Sequence, residues 1–313
     1  MKNRTSSILF HTAGIYTFFL LYSYYQEKIT TSLYEGVKYT SVLFPIYLHS
    51  LGGIVASEAA LYIKKEKRSV QNNSLLYRYI FLSLLSLISA QFWNFSLRFL
   101  TYPTVVISKS CKLLSIALMN FIIYRTKLST RKYFILILTT SSVLLFALGD
   151  SSKKESSSFG ITGLFLLIIN LAVDGFSNVI QDKIFKEYKV SSLNMMYYLN
   201  LIRFVISMIL LIMTQNMRYS FTFMYKNPSL AIDLGLSTIF NVLGQLFIFS
   251  MIEKHGTIIL STVNITRKIL SILVSFIIFG HSLSFIQGIS IIGVILSISL
   301  EFGSKEDKKI KEK

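Results

Sequence analysis

The chain has 313 residues, 52% of them hydrophobic, and carries 32 Lys and Arg against 15 Asp and Glu for a formal net charge of +17. A mean hydropathy of +0.57 excludes an ordinary soluble domain and places the chain among multi-pass membrane proteins. Most of the basic residues lie in short runs between apolar segments, which reports topology and excludes nucleic acid as the reason for the charge.

Ten windows of a length that crosses a bilayer are predicted as helices, at 7–24, 39–61, 76–96, 103–124, 133–149, 159–180, 192–213, 230–251, 257–279 and 282–300. The first follows Lys2 and Arg4 like a signal sequence, but no small-residue cleavage site comes after it, so an uncleaved span is expected. Tyr22, Tyr24 and Tyr25 at its end read as an interface belt. Cys111, the single cysteine, falls in the fourth window, which excludes an intrachain disulfide and a cysteine-based metal centre. No cofactor or metal is called for. The longest connection, around 216–228, is still short, so no separate soluble domain is expected and the fold class is an all-α membrane bundle.

Alternate connections hold 19 and 7 basic residues, the richer side including both chain ends. The positive-inside rule therefore predicts cytosolic termini, with 301–313 as a cytosolic tail. That tail ends in Lys309-Ile310-Lys311-Glu312-Lys313, the K-x-K-x-x pattern of an endoplasmic-reticulum retrieval signal read by coat protein through Lys309 and Lys311.

Five basic residues sit inside the windows: Lys109 and Lys112 in the fourth, Arg203 in the seventh, Arg267 and Lys268 in the ninth. A charge at mid-bilayer costs roughly 2.5 to 3.5 kcal/mol even on the lenient insertion scale, so such residues mark substrate or ion pathways. The stretch Ser110-Cys111-Lys112-Leu113-Leu114-Ser115-Ile116 resembles Thr266-Arg267-Lys268-Ile269-Leu270-Ser271-Ile272, 156 residues later. This makes the fourth and ninth spans equivalent members of two five-span halves, approximately 7–150 and 159–300. An odd number of spans per half inverts one copy relative to the other, the plan of secondary transporters with a site at the midplane.

Lys109 and Lys112, three apart, share a helix face, and Lys268 is the repeat equivalent of Lys112. Arg267 is turned about 100° from Lys268 around the helix and is the weaker candidate for direct contact. Asp174 is expected as a charge partner of one lysine, and the carboxylates in or near the windows are too few to neutralise the cations. An excess of ammonium and guanidinium donors favours a phosphate-bearing ligand. Tyr102, Asn94, Asn241, Gln245 and Asn264 suit a base and sugar. The plainer reading of the lysines is structural ion pairing, and Arg203, which has no repeat partner, reads equally well as a salt-bridge or a helix-packing residue. His11, His49, His255 and His281 are scattered among different helix ends, which speaks against a membrane-embedded transferase.

The chain resembles the nucleotide-sugar transporters of solute carrier family 35, branch B. The resemblance is carried by Gln26-Glu27-Lys28-Ile29, Tyr102-Pro103-Thr104 with Lys109-Ser110-Cys111-Lys112, Arg131-Lys132-Tyr133, Asp174-Gly175 with Gln181-Asp182, Gly244-Gln245, and Thr266-Arg267-Lys268. It implies a drug/metabolite-transporter fold of ten helices, exchange of a nucleotide sugar such as UDP-galactose for a nucleotide, and phosphate binding at Lys109, Lys112 and Lys268. Exchange of ATP for ADP is the alternative within that fold. Expected partners are the nucleotide-sugar or nucleotide substrate, membrane lipid and coat protein; a homodimer is left open.

Overall fold

The structure, a computed structural model, describes residues 2–68, 72–108, 111, 115, 119, 130–148, 157–188, 190–255, 263, 266–267, 270–271, 274, 278 and 284–311. In chain order the elements are α1 (Lys2–Thr31), β1 (Leu33–Tyr34), β2 (Val37–Lys38), α2 (Leu43–Lys64), α3 (Asn73–Ser96) and α4 (Tyr102–Ser108). They continue with α5 (Thr130–Leu148), α6 (Ser157–Tyr188), α7 (Ser192–Met213), α8 (Asn216–Lys226), α9 (Pro228–His255) and α10 (Phe285–Lys311). Among the described residues five segments are long and apolar enough to cross a membrane: Leu43–Lys64, Asn73–Ser96, Ile161–Phe185, Ser192–Met213 and Pro228–Ile248. They coincide with the second, third, sixth, seventh and eighth predicted windows. Shorter apolar stretches at Tyr133–Phe146 and Phe285–Ser297 fall in the fifth and tenth, and the first lies within the 30-residue α1. α4 opens the fourth window; most of the remainder of that window and of the ninth lies outside the described residues.

Two connections differ from expectation. The first contains a two-stranded antiparallel hairpin with Leu33 paired to Lys38 and Tyr34 to Val37. Its turn residues Glu35 and Gly36 both have positive φ, 48° and 81°, the backbone that lets a two-residue turn follow the right-handed twist of its strands. The stretch expected to be the longest loop is instead the helix α8.

The described chain forms two compact units, each drawing on both ends of the sequence: 1–87 with 181–267, and 88–180 with 268–313. Lipid offers no hydrophobic incentive for helices to associate, so close approach at small residues has to supply the packing. In the first unit α1 and α9 exchange such contacts: Gly14 receives the Phe247 ring, and Gly244 receives the Phe19 ring. Phe240 adds stacked contacts with Phe18 and Tyr25. α2 meets α7 where Gly53 faces the buried Asn200 side chain, with a Cβ at this glycine falling 2.5 Å from Asn200 Nδ2, and Tyr47 stacks on Phe204 at 4.8 Å. α7 begins cleanly because Ser191, extended at φ −68° and ψ 149°, accepts the Asn194 backbone N–H.

At the hairpin end of this unit, Ile29, Tyr34, Tyr39, Phe44, Leu211, Phe223, Leu230 and Leu234 form one buried cluster. Asp233, 3% exposed, is held within that end by Lys28 Nζ at 2.9 Å from Oδ1 and by the Tyr34 hydroxyl donating to Oδ2 at 2.9 Å. Asp233→Ala removes the α9 acceptor that α1 and the hairpin share. Hydrogen bonds to a charged group contribute about 1.5–3 kcal/mol, with the Lys28 share reduced because its side chain is about a third exposed. We expect a loss of roughly 2–3 kcal/mol, read as a Tm several degrees lower in detergent, with Asp233→Asn in between. An unchanged Tm for Asp233→Ala would sink this account. The hydrogen bond to Asp233 holds the Lys28 ammonium above its ordinary range, so the contribution is complete below pH about 10.4 and fades as alkali rises past the raised value.

At the other end of the unit, Arg78 pairs with Glu187 at 2.5 Å and Arg68 with Glu58 at 2.5 Å, while Asn194 Nδ2 donates to Glu66 at 2.8 Å. Arg78 holds the Glu187 carboxyl below its usual range, chiefly through their hydrogen bond.

In the second unit α5 packs on α10, with Gly293 against Ser142. α6 approaches the residues before α4 where Gly163 faces Leu100 and Phe99. Leu97, Leu100, Tyr102, Val105 and Leu167 form its buried cluster, and further along α6 Gly175 lies against Ser115.

Candidate substrate site

A stripe of polar side chains runs along α9 in the first unit: Ser237, Asn241 and Gln245, four residues apart and therefore on one face. Gln245 Nε2 donates to Asn241 Oδ1 at 2.6 Å, and Asn241 also hydrogen-bonds the Tyr22 hydroxyl. The Tyr22 ring meets His49 edge-on with centroids 5.5 Å apart, and His49 Nε2 lies 3.0 Å from Ser237 Oγ. Tyr22, expected in an interface belt, instead turns inward.

Arg267 lies on the same side of the unit, its guanidinium carbon 4.3 Å from the centroid of Phe19. A cation over an aromatic face contributes about 0.5–2 kcal/mol depending on desolvation and leaves the cation its charge. Its neighbour Thr266 hydrogen-bonds the Tyr16 hydroxyl. Tyr16, Phe19 and Tyr22, three apart on α1, thus line up against Thr266, Arg267 and Asn241.

Arg203 lies midway along α7, where a bare charge is most costly. Its Nε donates to Ser86 Oγ at 3.0 Å, and Ser86 Oγ donates to the Ser83 carbonyl at 2.9 Å. Among the described residues no carboxylate pairs with Arg203. The salt-bridge reading of Arg203 therefore finds no partner there; the packing reading keeps Ser86.

The second unit holds the other described candidates. Asp174 Oδ1 accepts the Ser89 hydroxyl at 2.5 Å, and Asn170 Nδ2 donates to Ser89 O at 2.7 Å and Ser89 Oγ at 2.8 Å. Asn178 Nδ2 donates to the Asp174 carbonyl at 2.5 Å, fixing the α6 turn that carries the carboxylate. Asn94 Nδ2 donates to Ala90 O in its own helix at 2.9 Å, and Tyr102, the first residue of α4, packs into the apolar cluster with Leu97, Leu100, Val105 and Leu167, 7% exposed. Lys109, Lys112, Lys268 and Asn264 lie outside the described residues.

The structure brings Asn241 and Gln245 together, with Arg267 near their Tyr22 partner. It adds Tyr16, Tyr22, His49 and Ser237, which sequence reasoning passed over. The four-residue polar spacing on α9 was the available signal; for Tyr22 and His49 there was none, since their roles depend on which helices face each other.

Intramembrane polar stripes and cations of this kind belong to solute pathways. The sequence pattern of the UAA transporter family matches residues 7–305, which is nearly the whole chain. The chain belongs to the UAA transporter family. It is a membrane transporter and not an enzyme. It is 35% identical to UDP-galactose transporter homolog 1 of Schizosaccharomyces pombe, over 93% of this chain and 92% of that protein. It is 28% identical to adenosine 3'-phospho 5'-phosphosulfate transporter 1 of Drosophila melanogaster, over 95% of this chain and 66% of that one. A solved crystal structure shares the fold at a TM-score of 0.62 and 12% identity, covering 95% of this chain and 96% of its own.

Proposed function

We propose that this family member is a nucleotide-sugar transporter that imports UDP-galactose or a related UDP-sugar into the lumen of the endoplasmic reticulum, in exchange for a nucleoside monophosphate. The observation that carries the reading is Arg203: a cation midway along a span, without a carboxylate among the described residues, in the unit that also holds Arg267 and the Tyr22–Asn241–Gln245 stripe. Fixed positive charge in a low-dielectric interior calls for an anion, and a diphosphate supplies one. Asn241, Gln245, Tyr22 and His49 offer donors and aromatic faces suited to a sugar or base.

The finer architecture belongs to the same proposal: ten spans in two inverted halves, approximately 7–150 and 159–300, in one transporter domain. In it Lys109, Lys112 and Lys268 take the phosphates, Tyr102 and Asn94 contribute to the nucleoside pocket, and Asp174 balances a lysine. The sequence repeat around Lys112 and Lys268 supports it. Cytosolic chain ends are supported by the 19 against 7 distribution of basic residues. The S. pombe relative, named for UDP-galactose, supports the substrate class. Alternating access then consists of the halves rocking about the bound diphosphate.

The test is uptake of labelled UDP-sugars, adenosine phosphosulfate and adenine nucleotides into proteoliposomes preloaded with UMP, ADP or nothing. UDP-sugar uptake that requires UMP inside is the expected result. Uptake confined to adenine nucleotides would overturn the substrate, and equal rates without preload would overturn exchange.

A further inference from the structure

The spans α7 and α9 are joined through α8, an 11-residue helix bracketed by the left-handed Gln215, φ 55°, and by Pro228 at the start of α9. Exposed apolar residues run along α7 through Val205, Ile209, Ile212 and Met213, so the lipid-facing surface reaches the turn just before α8. Both ends of α8 therefore join segments long and apolar enough to span a membrane, Ser192–Met213 and Pro228–Ile248.

Its inward face is fixed: Ser220 Oγ lies 2.8 Å from the Tyr39 hydroxyl, and Phe223 meets Tyr39 and Tyr34 edge-on at 5.4 and 6.5 Å. The opposite face is open and divided. Phe221, 56% exposed, and Tyr225, 89% exposed, are four apart on one flank. Arg218, Thr222 and Lys226, also four apart and exposed, form the other. Thr214, Gln215, Arg218, Tyr219, Thr222 and Lys226 line an open groove of about 600 Å³ along that basic flank.

We propose that α8 is an interfacial anchor and that its groove binds the headgroup of an anionic phospholipid. Two cations two helical turns apart, about 12 Å, have no carboxylate in the segment between Met213 and Pro228 and no ion-pair partner among the described residues. Hydroxyl and amide donors from Thr214, Gln215 and Thr222 complete an acceptor-binding surface, while Phe221 and Tyr225 meet the upper acyl chains. A soluble anion would leave those two aromatic rings in water. A zwitterionic headgroup would leave one cation unmatched. The surface is independent of which substrate the protein carries.

Native mass spectrometry of the full-length protein, released from bilayers of phosphatidylcholine with or without phosphatidylserine, counts retained lipid. Arg218→Gln with Lys226→Gln is expected to lower phosphatidylserine retention about tenfold, since each basic residue near a charged bilayer contributes appreciably to attraction, and to leave phosphatidylcholine retention unchanged. The exchange Arg218→Lys with Lys226→Arg preserves retention. In parallel, Tyr225→Trp adds fluorescence above that of Trp93, and brominated phosphatidylcholine quenches the added part. Unchanged phosphatidylserine retention in the double glutamine variant, or an unquenched tryptophan at 225, overturns the proposal. So does competition by inorganic phosphate as effective as by the lipid, which marks a soluble-anion site. Protection of position 225 only on self-association assigns the face to a second copy and overturns it too.

Discussion

Alanine at Lys112 or at Lys268 is expected to reduce preload-dependent UDP-sugar uptake by roughly 10- to 100-fold while leaving Tm in detergent nearly unchanged. The size follows from one charge-assisted phosphate contact, about 1.5–3 kcal/mol, at about 1.4 kcal/mol per tenfold. The two substitutions should act alike if the resemblance between the stretches around Lys112 and Lys268 reflects the proposed repeat. Arginine at either position keeps the charge but replaces a compact ammonium with a planar fork, so partial activity is expected. Lys183→Ala is the comparison: this lysine reaches Glu187 at 3.4 Å with 45% of its side chain exposed, and a pair of that kind contributes little. Uptake retained by both Lys112→Ala and Lys268→Ala would remove the lysines from the phosphate site. A Tm collapse in either would mean that structural ion pairing is the correct reading.

The second large effect is expected at Gly175. A Cβ there would sit 2.6 Å from Ser115 Cβ, 2.8 Å from its carbonyl carbon and 3.0 Å from its carbonyl oxygen. Backbone cannot swing aside as a side-chain tip can, so valine must push α6 away from the Ser115 segment. Overpacking typically costs about 1–3 kcal/mol, and a clash with main chain belongs at the upper end. The displaced turn also carries Asp174, whose carboxylate is tied to Ser89 and through it to Asn170. Gly175→Val should therefore lose both stability and transport, with Gly175→Ala milder. Gly235→Ala in α9 is the contrast, since its Cβ would meet nothing within 4 Å. That change is expected to be neutral or to stabilise by up to about 0.5–1 kcal/mol through the helix preference of alanine. Equal Tm values for the wild type and Gly175→Val would show that the contact is not tight.

The long apolar segments were legible because membrane partitioning depends on composition within a window. α7 starts and stops where predicted, with Ser191 as the reason at one end. The hairpin was not legible: two-residue strands leave no period to read, and only their pairing reveals them. α8 read as a loop because Asn216–Lys226 mixes aromatic, hydroxyl and basic residues with no long apolar run. Its inward face has meaning only when Tyr34 and Tyr39 of the hairpin region lie beneath it. Asn241 and Gln245, expected from the sequence to suit a base and sugar, lie in contact on α9, and Tyr22, read from the sequence as part of an interface belt, meets His49 instead.

By itself the sequence determined that this protein is a multi-pass helical membrane protein with a basic residue, Arg203, inside a span. Transfer free energy and charge placement are local properties, carried by each window without reference to any other. Only the tertiary structure decided that Tyr22, His49 and Asn241 meet, that Arg267 lies over Phe19, and that Asp233 serves Lys28, 205 residues away. Those pairings arise where helices distant in the chain approach through contacts such as Gly14 with Phe247 and Gly53 with Asn200. The free energy of such an approach depends on the shapes of both surfaces together, which no single segment encodes.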